Sequence, residues 1–515
     1  MQNLIDGKSK IFSKNTIICL GIIALAGFLI RLFYFPEGIP ITLDGALYFW
    51  YANDLSVSGT FPSNIDIPNN GWPTFLSVFF SLFSAENFLE YMDLQRYITI
   101  IISVTTIIPV FILCRKFCGN ELSLLGASIF VFQPRIIENS LLGVTEPLFI
   151  LLELSCLVLF LQNDLKFKYL SFAFLALACL VRYEAVLLII PLSILFILQH
   201  RKKKIIIRYS IAVSIFLLIL LPMAFVKMDT MGYDGIVSHS VAAGLKFGQP
   251  DYVPDFTVYL GAISFIKSTA LAVFPIFFIF LPLGFFAFFR ERNFDKSVIL
   301  SFLICMSLPI IYITSRDIAD PRYFLPLFPI FSIISVYTVR EITRKFDKTK
   351  LIPTLFIIII ITTSIIYLDY NKIDYEHELD AYHVGLEVSK RTSVINDYYP
   401  EVKYVHHKID AAVNLESFPI LSSEIKQKVK LVSGESVCKT TDLSCFDSLN
   451  EFIDYGKNEG LTHIVADENE NRPQFLKDVF HNEEKFPYLI KVYDSSEQGY
   501  DYHLKIFRID YEKFE

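Results

Sequence analysis

Eleven long apolar runs constrain this chain more than any other feature of its sequence. A transmembrane helix needs about 20 consecutive, mostly apolar residues. The runs lie at about residues 15–34, 97–113, 120–134, 147–162, 169–182, 185–199, 209–226, 269–289, 297–314, 323–339 and 351–368. Hydrophobic residues make up 53% of the 515 residues, far more than a soluble protein of this length needs. The pattern predicts a polytopic α-helical membrane protein.

Basic residues between the runs indicate the orientation of the chain in the membrane. If Met1 is cytoplasmic, every strongly basic loop is cytoplasmic too, as the positive-inside bias requires. These loops contain Arg115 and Lys116, Lys166 and Lys168, the run HRKKK with Arg208, Arg290 with Arg292 and Lys296, and Arg340, Arg344, Lys345, Lys348 and Lys350. Because the number of runs is odd, the C-terminal segment is then predicted to be extracytoplasmic.

The N-terminal run and one shorter apolar stretch need separate interpretation. Lys8, Lys10 and Lys14 lead into the first run, and no A-x-A-like cleavage site follows it, which predicts a retained signal anchor. The stretch PTFLSVFFSLF at residues 73–83 suits a re-entrant or interfacial helix, since about 11 residues are too few to cross. Counting it as a span would reverse every later loop and place HRKKK outside.

The chain therefore divides at about residue 370. Residues 1–370 are predicted to form a transmembrane domain, with a long first outer loop at 35–96 that contains juxtamembrane helices. Residues 371–515 alternate β-rich runs (VKYV, KLVS, LTHIVAD, YLIKVY, HLKIFRI) with helical stretches (374–396, FDSLNEFIDYG, RPQFLKDVF). This alternation predicts a small extracytoplasmic α/β domain, in which we find no catalytic motif.

The eight cysteines include no C-x-x-C pair and no Cys/His spacing suited to zinc, so no metal site is predicted from them. Cys438 and Cys445 are the two cysteines of the C-terminal segment. An extracytoplasmic compartment would permit them to pair, and two free thiols remain the alternative.

Ionisable residues lie at the predicted outer ends of several spans. They are Asp44; Arg135, Glu138 and Glu146; Arg182 and Glu184; Lys267; and Arg316, Asp317, Asp320 and Arg322. Taken singly, an arginine there is a snorkelling or ion-paired group, and Asp44 is a solvated loop acid. Together they predict a polar pocket at the outer membrane surface for a ligand with an anionic head and a lipid tail. Arginine binds phosphate through its planar fork, and a carboxylate can act as general base towards a hydroxyl.

Glu153 stands apart because it lies in the middle of an apolar run. It follows Glu146 by two helical turns and so shares roughly the same helix face. Two interpretations stay open: Glu153 is a structural partner inside the helix bundle, or it is part of a substrate or proton path.

Several short motifs, in this order along the chain, resemble membrane glycosyltransferases of the GT-C class. The resemblance is to glycosyltransferase family 39, with the protein O-mannosyltransferases and the aminoarabinose transferases, and covers about residues 15–340. It rests on Asp44 with Tyr48 in the first outer loop, Glu146 in TEPLF, RYEA from Arg182, and PRYFLPLFP, which contains Arg322 and Tyr323. Many members have Asp-Glu where this chain has Asp44-Gly45, so a second adjacent carboxylate is missing.

The resemblance implies a polyprenyl-phosphate-linked sugar as the donor, a loop acid as base and arginines that hold the lipid phosphate. We therefore predict an inverting transferase with Asp44 as the catalytic base, acting on a protein, lipid or glycan acceptor. Arg182 and Arg322 would neutralise the leaving phosphate, and Glu146 with Arg135 would order the pocket. The predicted substrate-binding residues are Tyr48, Arg135, Glu138, Glu146, Arg182, Glu184, Lys267, Arg322 and Tyr323. No nucleic-acid partner is predicted, and a requirement for a divalent metal stays open.

Two other classes of function remain as alternatives. A lipid-linked sugar flippase or secondary transporter would place ionisable groups and broken helices near the bilayer midplane, with symmetry between its halves. Only Glu153 fits that pattern. A membrane assembly protein would need a binding signature in residues 371–515, and we find none there.

Overall fold

The structure of the chain, a computed structural model, is mostly helical. It describes residues 13–41, 43–62, 65, 67–83, 88–200, 204–246, 258–290, 293–314, 320–346, 350–376, 379–380, 383–384, 448–458, 463–468 and 473–515. Each of the eleven predicted apolar runs overlaps a helix. Long apolar runs form helices in a membrane, because in a helix the backbone N–H and C=O groups form their hydrogen bonds within the segment.

The first 376 residues contain seventeen α-helices in the described part. In the described part they are α1 (Lys14–Phe33), α2 (Leu43–Ser58), α3 (Gly71–Leu82), α4 (Phe88–Thr105), α5 (Ile107–Phe117), α6 (Asn120–Val131), α7 (Pro134–Ser140), α8 (Glu146–Phe160), α9 (Leu165–Val181), α10 (Ile189–Gln199), α11 (Ile205–Met231), α12 (Val237–Lys246), α13 (Val258–Val273), α14 (Ile276–Phe289), α15 (Phe294–Thr314), α16 (Phe328–Phe346) and α17 (Leu351–Tyr370). Two 3₁₀ helices, Tyr183–Leu188 and Pro321–Leu327, lead into α10 and α16.

Six helical segments among the described residues are long and apolar enough to cross a membrane. They are Lys14–Phe33, Leu89–Phe117, Ile205–Met231, Phe294–Thr314, Pro321–Phe346 and Leu351–Tyr370. A seventh is added if Ile263–Val273 and Ile276–Phe289, which are bent by 114° at their junction, form one span. The structure therefore has a multi-pass character, but the predicted count of eleven spans is not confirmed.

The stretch predicted to be re-entrant or interfacial forms α3, a helix of 12 residues. Its length of about 18 Å, at 1.5 Å per residue, is well short of a hydrocarbon core of about 30 Å. Trp72 at its start is fully buried and donates from Nε1 to the carbonyl oxygen of Gly143 at 3.1 Å. Its position relative to the bilayer stays a prediction.

The chain divides into two compact units. The first, the membrane unit, comprises Met1–Phe35, Ile67–Phe75 and Arg96–Lys372. The second comprises Pro36–Asp66, Leu76–Gln95 and Ile373–Glu515. The second unit thus contains α2 as well as the C-terminal segment, and the predicted domain boundary at residue 370 stays a prediction.

Three lysines at the predicted cytoplasmic ends of the membrane unit cap neighbouring helices. A helix C-terminus leaves carbonyl oxygens without intrahelical donors, and its dipole favours a cation there. Lys168 donates to the oxygen of Phe160 at 2.8 Å, Lys296 to that of Phe288 at 2.6 Å, and Lys116 to that of Leu161 at 2.5 Å. These lysines of the basic loops therefore also stabilise the ends of α8 and α14.

The described part of the C-terminal segment contains a three-stranded antiparallel sheet. Its strands are β1 (His463–Asp467), β2 (Leu489–Asp494) and β3 (Leu504–Ile509), in the order β1-β3-β2. Helices α18 (Leu449–Asn458) and α19 (Gln474–His481) supply buried side chains to a core shared with the sheet, and α20 (Tyr511–Phe514) packs against it. These strands and the first two helices occupy predicted segments. The runs VKYV and KLVS, together with Cys438 and Cys445, lie outside the described residues.

The predicted topology has a direct test. We expect a protease added to intact cells or right-side-out vesicles to digest residues 371–515, because the basic loops predict that this segment faces outward. A known outer marker serves as the positive control. Protection of the segment while the marker is digested would contradict the topology and the predicted side of every site residue.

Candidate functional site

Glu146 and Arg182 meet because α8 and α9 form an antiparallel hairpin. The two helices have 15 and 17 residues and are joined by residues 161–164, so the start of α8 lies beside the end of α9. Glu146 is the first residue of α8, and Arg182 directly follows α9. A helix N-terminus favours a carboxylate and a C-terminus favours a cation, so both helix dipoles stabilise this pair.

Arg182 bridges two carboxylates, and we call this cluster the Arg182 triad. Its Nη1 donates to Glu146 Oε1 at 2.7 Å, and its Nη2 donates to Glu184 Oε1 at 2.9 Å. The three side chains are 12%, 5% and 11% exposed for Arg182, Glu146 and Glu184. The second oxygens, Glu146 Oε2 and Glu184 Oε2, are buried and accept no hydrogen bond within the described chain. With both acids ionised, the triad carries a formal charge of −1.

Two aromatic rings flank the guanidinium of the triad. The Cζ atom of Arg182 lies 5.9 Å from the ring centroid of Phe149 and 5.6 Å from that of Tyr323. Both are within the range of cation–π attraction. Tyr323 comes from the 3₁₀ helix Pro321–Leu327, which packs against α7, α8 and α13. The structure thus brings together three predicted motifs: TEPLF, RYEA and PRYFLPLFP.

Arg322 lies next to Tyr323 and is more accessible than Arg182. Its backbone N–H and its Nε donate to the two carboxylate oxygens of Asp320, at 2.8 and 2.7 Å. The side chains of Arg322 and Asp320 are 30% and 29% exposed. An ion pair this exposed contributes little net energy, so a ligand anion can compete for the guanidinium. Arg316 and Asp317 lie outside the described residues.

Arg135 and Glu138 of α7 form a separate pair. Their closest side-chain atoms are 3.3 Å apart, and Arg135 also lies 5.4 Å from the ring centroid of Tyr367 in α17. Burial raises the pKa of Glu138, and the guanidinium of Arg135 opposes that shift. Lys267 is exposed on α13 and forms no ion pair with any described residue. Neither the Arg135–Glu138 pair nor Lys267 forms an ion pair with the Arg182 triad among the described residues.

Asp44 lies in the second unit, in the first turn of α2. Its side chain is exposed, and Tyr48, one helical turn later, is half-buried. Three hydrogen bonds hold the chain around Asp44 to α4. Gly38 N–H donates to Asp93 Oδ2 at 3.1 Å, Ile41 N–H to Met92 Sδ at 3.2 Å, and Gln95 Nε2 to the oxygen of Gly45 at 3.1 Å. The carboxylate is therefore presented from a fixed helix.

Two buried polar residues of the membrane unit were not predicted as parts of a site. Arg31 is fully buried and donates to Ser140 Oγ, Ser103 Oγ and the oxygens of Gly27 and Val131, at 2.8 to 3.1 Å. Asn69 accepts the N–H of Tyr183. The Asn-Asn-Gly run in an outer loop was the available signal for Asn69. Glu153 is buried within α8, as its position in an apolar run suggested.

The family described as dolichyl-phosphate-mannose-protein mannosyltransferase matches residues 73–226. That region contains the whole α8–α9 hairpin and the Arg182 triad. No curated protein matches the sequence.

Two glycosyltransferases of known structure are similar to the chain in fold. ArnT from Cupriavidus metallidurans, bound to undecaprenyl phosphate, matches with a TM-score of 0.60 and 10% identity, covering 96% of this chain and 98% of that one. The chain has the GT-C fold. The Archaeoglobus fulgidus oligosaccharyltransferase AglB, in complex with an inhibitory peptide and a dolichol-phosphate, matches with a TM-score of 0.57 and 13% identity. There, 88% of this chain and 69% of that one are covered. The predicted resemblance to GT-C glycosyltransferases is confirmed.

Proposed function

We propose that the chain is a membrane glycosyltransferase that moves a sugar from a polyprenyl-phosphate donor to a hydroxyl acceptor on the outer face. The observation that carries this proposal is the cluster of Glu146, Arg182, Glu184, Tyr323 and Arg322. The first four residues come from three separate chain segments and meet where α8 begins and α9 ends, and Arg322 directly precedes Tyr323 in the chain. The family match over this region and the fold shared with ArnT, which binds undecaprenyl phosphate, support the assignment.

Arg322 is the residue we propose to bind the donor phosphate. Its guanidinium is partly exposed, and its partner Asp320 belongs to an accessible pair that an anion can displace. Arg182 is held between two carboxylates, and the negative charge of the triad disfavours a second anion. We therefore assign to Arg182 chiefly the ordering of Glu146 and Glu184, and to Arg322 the larger share in neutralising the leaving phosphate.

Asp44 is the proposed general base. The acceptor oxygen attacks the anomeric carbon while the bond from that carbon to the phosphate oxygen breaks. The acceptor proton passes to the Asp44 carboxylate, and polyprenyl phosphate leaves with the bonding electron pair. Attack from the face opposite the leaving group inverts the anomeric configuration. Proton transfer requires a base within hydrogen-bond reach of the acceptor hydroxyl. A carboxylate in the first turn of a helix that is held by hydrogen bonds has a fixed position, which suits this role.

The proposed reaction can be tested on protein purified in detergent. We expect release of polyprenyl phosphate and a glycosylated product when synthetic polyprenyl-phosphate sugars are supplied with peptide, lipid or glycan acceptors. Mass spectrometry identifies both products. The same protein reconstituted in liposomes tests the transporter alternative. Movement of lipid-linked sugar across the bilayer without any glycosyl transfer would overturn the proposal.

Arg322→Lys provides a test of phosphate binding. Lysine keeps the charge but loses the planar fork that matches phosphate. Losing one charge-assisted hydrogen bond costs roughly 1.5 to 3 kcal/mol, or about tenfold to a hundredfold in transfer efficiency, measured as kcat/KM for the donor. Arg344→Lys is the matched control, because Arg344 forms an exposed pair with Glu341 near a predicted cytoplasmic end. An unchanged kcat/KM for the donor in Arg322→Lys would return Arg322 to the role of a helix-end anchor.

A further inference from the structure

We infer that Asn69 is a positioning residue of the Arg182 triad, and that Asn69, Gly71 and Trp72 together brace both halves of it. This inference rests on the proposed function, because it assigns these residues a part in transfer that they exert through the triad. We call the three residues the brace. They precede or begin α3 and belong to the membrane unit, like the triad.

The first contact of the brace is with the turn that carries Arg182 and Glu184. Asn69 Oδ1 accepts the backbone N–H of Tyr183, the residue between them, at 2.9 Å. Tyr183 begins a 3₁₀ helix, and the first N–H groups of a helix have no partner within it. Asn69 thus supplies the missing acceptor from 114 residues away and fixes the backbone from which both charged side chains project.

The second contact is a close backbone approach to the end of α9. A Cβ atom added to Gly71 would lie 2.5 Å from the carbonyl oxygen of Leu180, closer than real Cβ atoms come. Only glycine lets the chain pass this near to another backbone. The brace is therefore seated directly against the last turn of α9, two residues before Arg182.

The third contact reaches the other half of the triad. Trp72 is fully buried, and its Nε1 donates to the oxygen of Gly143 at 3.1 Å. Gly143 adopts a positive φ of 71° in the connection between α7 and α8, three residues before Glu146. One short segment thus holds the connection that leads to Glu146 and the turn that carries Arg182.

The brace is itself anchored at its N-terminal end. Lys227 of α11 is 2% exposed and donates to the oxygen of Ile67, and its Nζ lies 5.3 Å from the ring centroid of Tyr233. Gly235, with φ of 77°, packs against Lys227 and Pro68. A Cβ atom there would lie 3.2 Å from Lys227 Cε and 3.2 Å from the carbonyl oxygen of Pro68. A segment anchored this way can transmit a fixed position to the triad.

The experiment compares three variants. Asn69→Leu keeps the approximate shape but removes the acceptor, whereas Asn69→Asp keeps an oxygen that can accept the Tyr183 N–H. Asn70→Leu is the matched control, since the Asn70 side chain donates to Met223 Sδ of α11 at 2.9 Å instead. We expect kcat to fall about tenfold to a hundredfold in Asn69→Leu, because misplacement of catalytic groups by about 1 Å can cost about a hundredfold. Asn69→Asp should recover most of the loss, and Asn70→Leu should stay within about threefold of wild type.

Combination with Arg182→Lys separates positioning from a general loss of structure. If Asn69 acts through the triad, the kcat loss caused by Asn69→Leu should be much smaller in the Arg182→Lys background than in wild type. For the control, the kcat losses caused by Asn70→Leu and by Arg182→Lys should simply multiply in the double variant. Multiplicative losses for Asn69→Leu as well, or wild-type kcat in Asn69→Leu alone, would overturn the inference.

Amide hydrogen exchange gives a readout that does not depend on activity. The Tyr183 amide should exchange faster in Asn69→Leu and stay protected in Asn69→Asp and Asn70→Leu, because only the first loses the acceptor. Unchanged exchange in Asn69→Leu would overturn the inference even if wild-type transfer is observed. Absence of transfer by the wild-type protein, with the expected exchange pattern, would count against the proposed function and leave the brace geometry supported.

Discussion

Asp44→Asn is expected to reduce glycosyl transfer by about 10² to 10⁴ while the protein remains folded. An amide cannot take the proton that the acceptor hydroxyl loses, and removal of a general base typically costs that much in rate. Asp44 is exposed in the first turn of α2, where a carboxylate interacting with the helix dipole stabilises by only about 0.3 to 1 kcal/mol. A melting curve and a transfer assay on one detergent-purified preparation measure both quantities.

Glu121→Gln is the matched control for Asp44→Asn. Glu121 is likewise an acid in the first turn of a helix, α6, but lies at a predicted cytoplasmic end. The Glu121→Gln protein should have the same melting temperature as Asp44→Asn and the same transfer rate as wild type. If Asp44 were only a structural acid, its Asn variant would melt early and lose activity in proportion to the unfolded fraction. Near-normal turnover by a well-folded Asp44→Asn protein would contradict the assignment of Asp44 as general base, and Glu146 would be the next candidate for that role.

Arg182→Met should destabilise the membrane unit by about 3 to 5 kcal/mol. The substitution removes the cation from between two carboxylates that are only 5% and 11% exposed, and breaking a buried ion pair from one side leaves an uncompensated charge. Equilibrium unfolding in detergent measures the loss. Adding Glu146→Gln should recover part of it, because the amide no longer carries a buried charge.

Arg135→Met is the corresponding control. Its pair with Glu138 is 30% and 25% exposed, so Arg135→Met should cost less than Arg182→Met, towards the value of about 0 to 1 kcal/mol that is typical of fully exposed pairs. A similar loss in both variants would mean that burial does not distinguish the triad from the Arg135–Glu138 pair. Failure of Glu146→Gln to recover any stability in the Arg182→Met background would show that Arg182 stabilises through its rings and backbone instead.

Much of the fold could be predicted from sequence because it depends on local pattern. Every apolar run overlaps a helix, and the β-rich runs LTHIVAD, YLIKVY and HLKIFRI contain β1, β2 and β3. The number of spans could not be read in the same way. Helices such as α6, with 12 residues, are too short to cross on length alone, and composition does not show how such a helix is placed.

The candidate site was predicted as a set of residues, but not as a set of contacts. All of the acids and arginines at the predicted outer ends were visible in the sequence, and from them one pocket was predicted. Among the described residues the structure forms the Arg182 triad, the Arg135–Glu138 pair and the Arg322–Asp320 pair, with Lys267 exposed, and the single pocket stays a prediction. Asp44, predicted in the long first outer loop with its juxtamembrane helices, lies in the first turn of α2.

By itself, the sequence determined that this protein is a multi-pass helical membrane protein, which short motifs it shares with GT-C glycosyltransferases, and where its C-terminal strands lie. Only the tertiary structure decided which charges meet. Glu146 and Arg182 are 36 residues apart, and Asn69 and Tyr183 are 114 apart. Periodicity shows which face of a helix is apolar, but it does not say which helix lies beside it. That choice depends on helix lengths, on the four-residue connection between α8 and α9, and on a glycine that allows close backbone approach.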